Sequence, residues 1–419
     1  MTQKDALKIL KRGLPTYITG PAGSGKTHLL NQYIDWCEDE NLEVAVTAST
    51  GIAATHIGGR TIHSWSGMGI QDSMDEKELD ELAQKEYLHK RYANTDVLII
   101  DEVSMLSADQ LDLLDQIARK LRRGNAPFGG LQVVMSGDLF QLPPITDRNS
   151  PQYITEAEVW QKADLAICYL TEQFRQEDPE FESLLADIRS GNVTGGTKDT
   201  LKSRRHEDDD LTDITRLYTH NKDVDEINHD RLEQIDADLH VYDMRTSGPK
   251  KKTDQLRKST LAPDKLKLKE GAQVMFVKND PTDEFVNGTR GEVDRFESGK
   301  PVIETADGRE VRPSRLRWSR SRIDSSDAYI SQLPLRLAWA VTVHKSQGMT
   351  LDEAAIDLSK TFVEGQGYVA LSRLRTLSGL HLLGLNDLAL EVDPYVRKKE
   401  ARFKKISDQI KKEVLEGSG

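Results

Sequence analysis

Gly20-Pro21-Ala22-Gly23-Ser24-Gly25-Lys26-Thr27 follows the apolar-leaning residues 15–19 and precedes a helix-like run over residues 28–36. A G-x-x-x-x-G-K-[ST] pattern between a strand and a helix reads as a phosphate loop. Its glycines let successive backbone N–H groups and the following helix N-terminus point at phosphate oxygens, while Lys26 reaches the β- and γ-phosphates. Thr27 supplies a ligand for Mg²⁺. Residues Gly20, Pro21, Ala22, Gly23, Ser24, Gly25, Lys26, Thr27 and His28 are therefore the candidate nucleotide site. The expectation is ATP binding and hydrolysis with Mg²⁺. A chance glycine turn is the competing reading, and it would not carry both flanks.

The chain has 419 residues, which at about 150 residues per domain implies two to four domains. Its net charge of -12 gives no global signature of nucleic-acid binding, so any basic contact surface must be local. Cys37 and Cys168 lack metal-ligand spacing and read as packing residues in a reducing compartment. There is no signal-like start and no run of about 18 apolar residues, so the expectation is a soluble cytoplasmic protein without a membrane partner.

Working outward from the loop, short β-rich runs at residues 16–19, 44–48, 97–100 and 131–136 alternate with helical patterns. That alternation predicts a parallel sheet flanked by helices. Leu79, Leu82 and Tyr87 are spaced for one amphipathic helix outside the sheet. A second block of the same kind begins near residue 170, pauses after 228 and resumes at 335 with runs at 340–343, 354–357 and 380–383. Between the halves, strand-like runs at 271–277, 285–293 and 301–311, with a hairpin signal at Asn287-Gly288, predict a small β-barrel insertion. Near its end Arg312, Arg315, Arg317, Arg320 and Arg322 surround Trp318, which reads either as a solvated loop or as a nucleic-acid contact. Residues 395–416 form a Lys-rich amphipathic helix candidate, and residues 195–210 are polar and charged without an assignable role.

Val97-Leu98-Ile99-Ile100-Asp101-Glu102 is an apolar strand ending in two carboxylates at the sheet edge that faces the phosphate loop. Asp101 is expected to hold Mg²⁺, directly or through water, and Glu102 to polarise the attacking water as general base. A third strand delivers Gly137-Asp138 and Gln141 to the same edge. Gln141 would bond the γ-phosphate or the lytic water, although Gly-Asp alone is an ordinary turn. Arg175 in Gln173-Phe174-Arg175 and Arg373 in Ala370-Leu371-Ser372-Arg373 are candidate γ-phosphate contacts, with surface ion pairs as the alternative.

Together with Val343-His344-Lys345-Ser346-Gln347-Gly348, these segments resemble, in order and spacing, the motif set of superfamily 1 DNA helicases. Ser49-Thr50-Gly51-Ile52-Ala53-Ala54 and Gly58-Gly59-Arg60-Thr61-Ile62-His63-Ser64 resemble the RecD-like branch, and Pro127-Phe128-Gly129-Gly130-Leu131-Gln132 resembles its PIF-like subfamily. The resemblance runs from about residue 16 to 385. It implies an α/β fold of two RecA-like P-loop domains, with a small helical excursion in the first and an SH3-like β-barrel insertion in the second. It places the first domain at residues 1–170 with a wedge element at about 66–95, the second at 171–229 and 333–390, the insertion at 230–332 and a basic tail at 391–419.

The same resemblance implies an ATP-dependent DNA helicase moving 5′-to-3′ on single-stranded DNA and acting at single-strand/duplex forks, with quadruplex DNA or RNA–DNA hybrids as further substrates. It implies a monomer that can dimerise on DNA, associated in a bacterial-type cell with the nucleoid. By position, Gln3 would sit against adenine unless the chain start is frayed. Gln347 and Gly348 would sit beside the triphosphate. Thr61, His63, Ser64, His344 and Lys345 would contact the DNA backbone, with buried structural roles competing for the two histidines. The alternatives are a nucleotide-gated single-stranded DNA clamp that does not unwind, and a P-loop enzyme acting on a small molecule.

Overall fold

The computed structural model describes residues 1–69, 71–141, 143–144, 152–206, 214–258, 260–278, 280, 284–285, 289–305, 308–319, 328–343, 346 and 349–416. The chain forms two compact units, one of Met1–Thr200, Phe362–Leu377 and Asp387–Gly419, the other of Leu201–Thr361 and Ser378–Asn386.

The first unit is built on a parallel sheet of β1 (Thr16–Thr19), β2 (Val44–Ala48), β3 (Arg60–Thr61), β4 (Val97–Asp101), β5 (Gln132–Ser136) and β6 (Ala166–Tyr169), in the order β3-β2-β4-β5-β1-β6. β4 reads as an unbroken apolar run because every residue in it is buried, as expected of a strand covered on both faces. In α2 (Lys26–Asp39), Leu29, Leu30, Tyr33 and Cys37 form one stripe that packs with Ala6, Ile9 and Leu10 of α1 (Gln3–Leu10). α1 is pinned at its start. The Met1 ammonium donates to the Tyr169 carbonyl at 2.6 Å, and Thr2 Oγ1 accepts the Asp5 N–H at 3.2 Å.

Where the spacing predicts one helix outside the sheet there are two, Glu76–Ala83 and Glu86–Ala93. A capping box between Asp75 and Glu78 starts the first, and the chain turns at Gln84 and Lys85. As a result Leu82 and Leu88 are buried, while Tyr87 is exposed. The Lys-rich tail is docked: helix Pro394–Ile410 buries Val396 and Phe403, and Ser407 Oγ accepts the Tyr169 N–H at 3.0 Å. It runs into a short π-helical turn, Lys411–Glu416.

Helix Ala108–Arg122 is tied to the turn before β5 by a buried carboxylate. Asp115 Oδ1 accepts the Phe128 N–H at 2.6 Å, and its other oxygen pairs with Arg119 at 2.8 Å. Arg122 Nε donates to the Gly129 carbonyl at 3.0 Å. Gly129 has φ +62°, and a Cβ there would lie 2.7 Å from the Ala118 carbonyl oxygen, which explains the Pro-Phe-Gly-Gly spelling.

The second unit holds a parallel four-stranded sheet in the order Ala340–Thr342, Arg216–Tyr218, Ala354–Leu358, Leu380–Leu385. Beside it in sequence are antiparallel sheets, the largest ordered Glu310–Val311, Lys300–Thr305, Arg290–Glu297, Gln273–Phe276, Leu335–Leu337. The predicted run 285–293 becomes a strand only at Arg290, and the predicted run 301–311 is divided into two strands. Asn287-Gly288 lies outside the described residues. The charged stretch 195–210 begins as a helix, Gly195–Ser203.

The Arg-rich segment spends much of its charge internally. Arg312 pairs with Glu297 and Glu310, Arg315 donates to the Ser331 carbonyl, and Arg317 lies over the Tyr329 ring. Arg320 and Arg322 lie outside the described residues. Among the described residues no helix is long and apolar enough to cross a membrane.

Replacing Asp115 with Ala strands the buried Phe128 N–H, so it is expected to lower stability by about 1–3 kcal/mol. Urea unfolding of the variant, followed by circular dichroism, reads this directly. An unchanged midpoint would show that the contact contributes nothing.

Candidate nucleotide-hydrolysing site

The carboxyl ends of four strands deliver the site. β1 leads into Gly20, β4 ends at Asp101-Glu102, β5 is followed by Gly137-Asp138, and β6 leads to Gln173-Phe174-Arg175. In a parallel sheet those ends share one edge. All of these residues, with Gln141 and Arg373, belong to the first compact unit.

The loop is closely packed against the 173–176 segment. The Phe174 N–H donates to the Gly23 carbonyl at 3.0 Å. A Cβ on Gly23, whose φ is +86°, would sit 2.7 Å from Arg175 Cβ, so glycine is needed here for the approach of a neighbour as well as for phosphate. Gln3 Nε2 donates to the carbonyls of Ser24 and Gly25 at 3.2 Å each, and the Gln3 N–H donates to Glu172. The chain start is thereby fixed on the loop. Beside Gly25 stands Phe174, 60% exposed. Lys26 Nζ donates to the Gly20 and Pro21 carbonyls at 3.0 Å each. Burial lowers its pKa, against the raising effect of Asp138 and Glu102. Thr27 and His28 open α2, where the His28 ring meets Gln32 at 3.2 Å.

Asp101 is buried, and burial pushes its carboxyl upward against the Glu102 N–H at 2.9 Å, the Lys26 charge and the Thr27 hydroxyl. Glu102 adopts a left-handed conformation with φ 50°, which costs roughly 1–3 kcal/mol for a non-glycine residue. The Glu102 carbonyl is held by Ser49 Oγ at 2.7 Å. Gln141 is buried, and its N–H donates to the Asp138 carbonyl at 3.0 Å.

Two guanidinium groups meet at this edge. Arg175 Nη1 donates to the Ser372 carbonyl at 3.0 Å, while Arg373 donates to Val369 O at 2.9 Å and to Ser372 Oγ at 3.0 Å. Arg373 is only 1% exposed, and burial together with the like charge of Arg175 pushes its pKa down to about 9. Burial likewise lowers that of Arg175. The bonds to carbonyls and hydroxyls satisfy donors without cancelling charge.

A third arginine, absent from the sequence reading, is fully compensated. Arg189 grips Asp138 through two bonds of 2.7 and 2.9 Å, donates from Nε to Glu400 at 2.7 Å and from Nη1 to the Tyr368 hydroxyl at 3.0 Å. Its guanidinium lies 4.0 Å from the Phe140 ring centroid. The Tyr368 hydroxyl also accepts the Ala22 N–H of the phosphate loop, at 3.2 Å. Arg189, Tyr368, Glu400 and Phe174 carry no motif spacing beyond the Gln-Phe-Arg signal around Phe174.

The expected DNA contacts of the first half cluster at the short helix Ile62–Ser66. Thr61 Oγ1 caps it by accepting the Ser64 N–H at 3.3 Å. Burial lowers the His63 pKa despite nearby Asp72 and Gln110, which favours a neutral ring. His344, Lys345, Gln347 and Gly348 lie outside the described residues. No cluster of three or more His, Cys, Asp or Glu residues suited to a metal occurs among the described residues. A hydroxyl and one carboxylate, Thr27 and Asp101, are instead the hard-oxygen pair that suits Mg²⁺ shared with phosphates.

Strand edge, phosphate loop, paired carboxylates and converging arginines define a RecA-like P-loop nucleoside triphosphatase. Residues 3–199 match the PIF1-like helicase family and residues 253–296 match the family described as DNA helicase Pif1, 2B domain. The chain is 41% identical to the ATP-dependent DNA helicase Pif1 of Psychrobacter sp., over 100% of this chain and 74% of that protein. The Pif1 helicase structure from Candida albicans aligns with a TM-score of 0.83 at 35% identity, covering 96% of this chain and 98% of that one. Two structures of Bacteroides Pif1, one with ADP-AlF4 and one bound to ssDNA, align with TM-scores of 0.81 and 0.71 at 32% and 33% identity, each covering 96% of both chains. The chain belongs to the PIF1-like helicase family.

Replacing Arg189 with Met leaves the fully buried Asp138 without the guanidinium that grips it, at an expected cost of about 3–5 kcal/mol. The pH dependence gives the sign. Burial alone would raise the Asp138 carboxyl, and Arg189 more than reverses this, so in the native protein it is depressed and its stabilisation is lost only as pH falls through the folded value. In Arg189→Met the carboxyl is raised instead, so the variant's deficit should grow as pH rises above about 4. Urea midpoints at pH 4 and pH 7 test this, and a deficit independent of pH would remove the ion pair from the account.

Proposed function

We infer that the chain is an ATP-dependent DNA helicase that hydrolyses ATP at the phosphate loop, advances 5′-to-3′ on one DNA strand and separates the duplex ahead. The observation that carries this reading is the pair of guanidinium groups of half-buried Arg175 and buried Arg373, which make no ion pair among the described residues and face the edge that holds Lys26 and Glu102. Such a pair is suited to the negative charge that spreads over the γ-phosphate in the transition state. The ADP-AlF4-bound and ssDNA-bound Bacteroides relatives support it.

In this mechanism Gly20 to Thr27 present N–H groups to the phosphates, and Lys26 swings from the Gly20 and Pro21 carbonyls onto the β- and γ-oxygens. Thr27 and Asp101 would hold Mg²⁺, which neutralises phosphate charge when bound. Glu102 accepts a proton from the attacking water, Gln141 orients that water or the γ-phosphate, and Arg175 and Arg373 stabilise the developing charge. Gln3 and the exposed ring of Phe174 take the adenine. Gln347 and Gly348 lie beside the triphosphate. Thr61, His63 and Ser64 contact the strand from the first RecA-like domain, residues 1–170, and His344 and Lys345 from the second, residues 171–229 and 333–390. His63 serves as a neutral hydrogen-bonding group there. The 66–95 excursion acts as the wedge and residues 230–332 as the 2B insertion. Single-strand/duplex forks are the substrate, with quadruplex or RNA–DNA hybrids beyond them, and the protein works as a monomer that can pair on DNA.

Lys26→Ala is expected to abolish DNA-stimulated ATPase, and Arg373→Ala to lower it by about 10³–10⁵-fold. Steady-state phosphate release with and without oligo(dT) measures both, and wild-type turnover in either variant refutes the assigned roles. Matched duplexes with a 5′ or a 3′ single-stranded tail test direction. Strand separation should require the 5′ tail and ATP, whereas ATP-dependent retention without separation would replace the motor with a clamp.

A further inference from the structure

The second compact unit contains a cavity of about 190 Å³ lined by residues of helix Asn221–Gln234 and strands Lys265–Leu268 and Leu335–Leu337. None of these residues takes part in the nucleotide site described above. Arg336 projects into the lining and is 9% exposed, yet its Nε has no hydrogen-bond partner and its guanidinium makes no ion pair among the described residues. A guanidinium cannot shed its proton to escape that burial. Burial does lower its affinity for the proton, with Asp225 across the cavity as the one opposing charge.

Lys265 and Lys267 also line the cavity, so its lining carries three cations and a single carboxylate, Asp225. Lys265 is only loosely engaged, 4.0 Å from Asp243. His229 at the rim meets Glu233 instead, at 3.1 Å. Across the sheet a second arginine repeats the pattern: Met275 is in register with Arg336 on one side and Arg290 on the other, and Arg290 Nε is also buried without a partner. Directly opposed residues share a sheet face, so the two guanidinium stems rise from one face about 9–10 Å apart.

Beside the charged groups and the polar Asn228 and His229, the lining is apolar, with Leu232, Leu261, Pro263, Leu266 and Leu337. A multiply charged anion with a small organic part satisfies both halves. The volume is roughly that of six waters, sufficient for a phosphate and the sugar bonded to it.

We propose that this cavity is a second nucleotide-phosphate site, in which Arg336, Lys265 and Lys267 take the phosphate and Leu261 and Pro263 receive the sugar. The nucleotide comes either from a DNA strand or from the free pool, because the recognised chemistry is the same. The site stands independently of the helicase mechanism, since none of its residues serves the phosphate loop.

The full chain saturated with ADP, so that the phosphate loop is filled, is titrated calorimetrically with thymidine 5′-phosphate and with thymidine. Saturable binding of the phosphate form alone is expected, weakened at least tenfold by Arg336→Gln and at least threefold by Lys267→Gln, with ADP affinity unchanged in both. Should Arg336→Gln fail to fold, the exposed Lys267→Gln variant decides. Competition by saturating oligo(dT) assigns the site to a strand nucleotide, and undiminished binding in its presence assigns it to a free nucleotide. Absence of saturable binding, equal binding of thymidine, or binding unchanged by Lys267→Gln and by a folded Arg336→Gln overturns the proposal.

Discussion

The first unit depends on one buried charge. Arg189 sits where the carboxylates of Asp138 and Glu400 and the hydroxyl of Tyr368 converge. Asp138 is fully buried, so its ionised form is tolerable only with a guanidinium gripping both oxygens. The flat fork of arginine serves two carboxylates and a phenol at once, which the point charge of lysine cannot do. Each partner then orders something else. Asp138 accepts the Phe140 N–H and so shapes the turn that carries Gln141. Glu400, on helix Pro394–Ile410, ties that helix to Arg189 and also accepts the Tyr169 hydroxyl at the end of β6. Tyr368 reaches the phosphate loop itself through the Ala22 N–H.

Against this compensated arginine stand others that have donors satisfied or orphaned but no ion pair among the described residues. Arg175 and Arg373 bond to carbonyls and hydroxyls of their own surroundings. Burial first, and then the like charge of Arg175, depress the pKa of Arg373. Compensated arginine builds structure; uncompensated arginine next to a phosphate loop prepares a place for an anion. The pair sits on the edge that holds the phosphate loop, and the charge of Glu102, which has a left-handed backbone, partly offsets the effect of burial on both arginines.

What could be read in advance was whatever is encoded locally. The phosphate loop, the apolar strand ending in Asp101-Glu102 and the alternation of strands and helices each occupy a handful of consecutive residues, and all appear where the pattern places them. Arg189 joins partners 51, 179 and 211 residues away, so no window of sequence contains the evidence for it. The excursion after Trp65 failed for a different reason. Leu79, Leu82 and Tyr87 satisfy a helical period, but Asp75 and Glu78 cap one helix while Gln84 and Lys85 end it, and capping overrides periodicity over so short a span. The Arg-rich stretch reads as a basic surface only until Glu297 and Glu310, from neighbouring strands, are seen to absorb Arg312.

The link between the phosphate loop and Arg373 also follows from short-range geometry. Tyr368 and Arg373 belong to one buried turn of chain, because helix Gln366–Leu371 leads directly into Ser372 and Arg373, and Arg373 Nε returns to the carbonyl of Val369. The Ala22 N–H that Tyr368 accepts is among those the loop presents to phosphate. On the proposed reading, a phosphate bound to this N–H would take it from Tyr368, leaving the phenol its bond from Arg189 among the described residues. The loss is felt by the turn that carries Arg373 as well as by the ion pair that shapes the Gln141 turn. Hydrogen bonds of ordinary length thus connect the loop to the turn that carries Arg373 and to the ion pair beside Gln141.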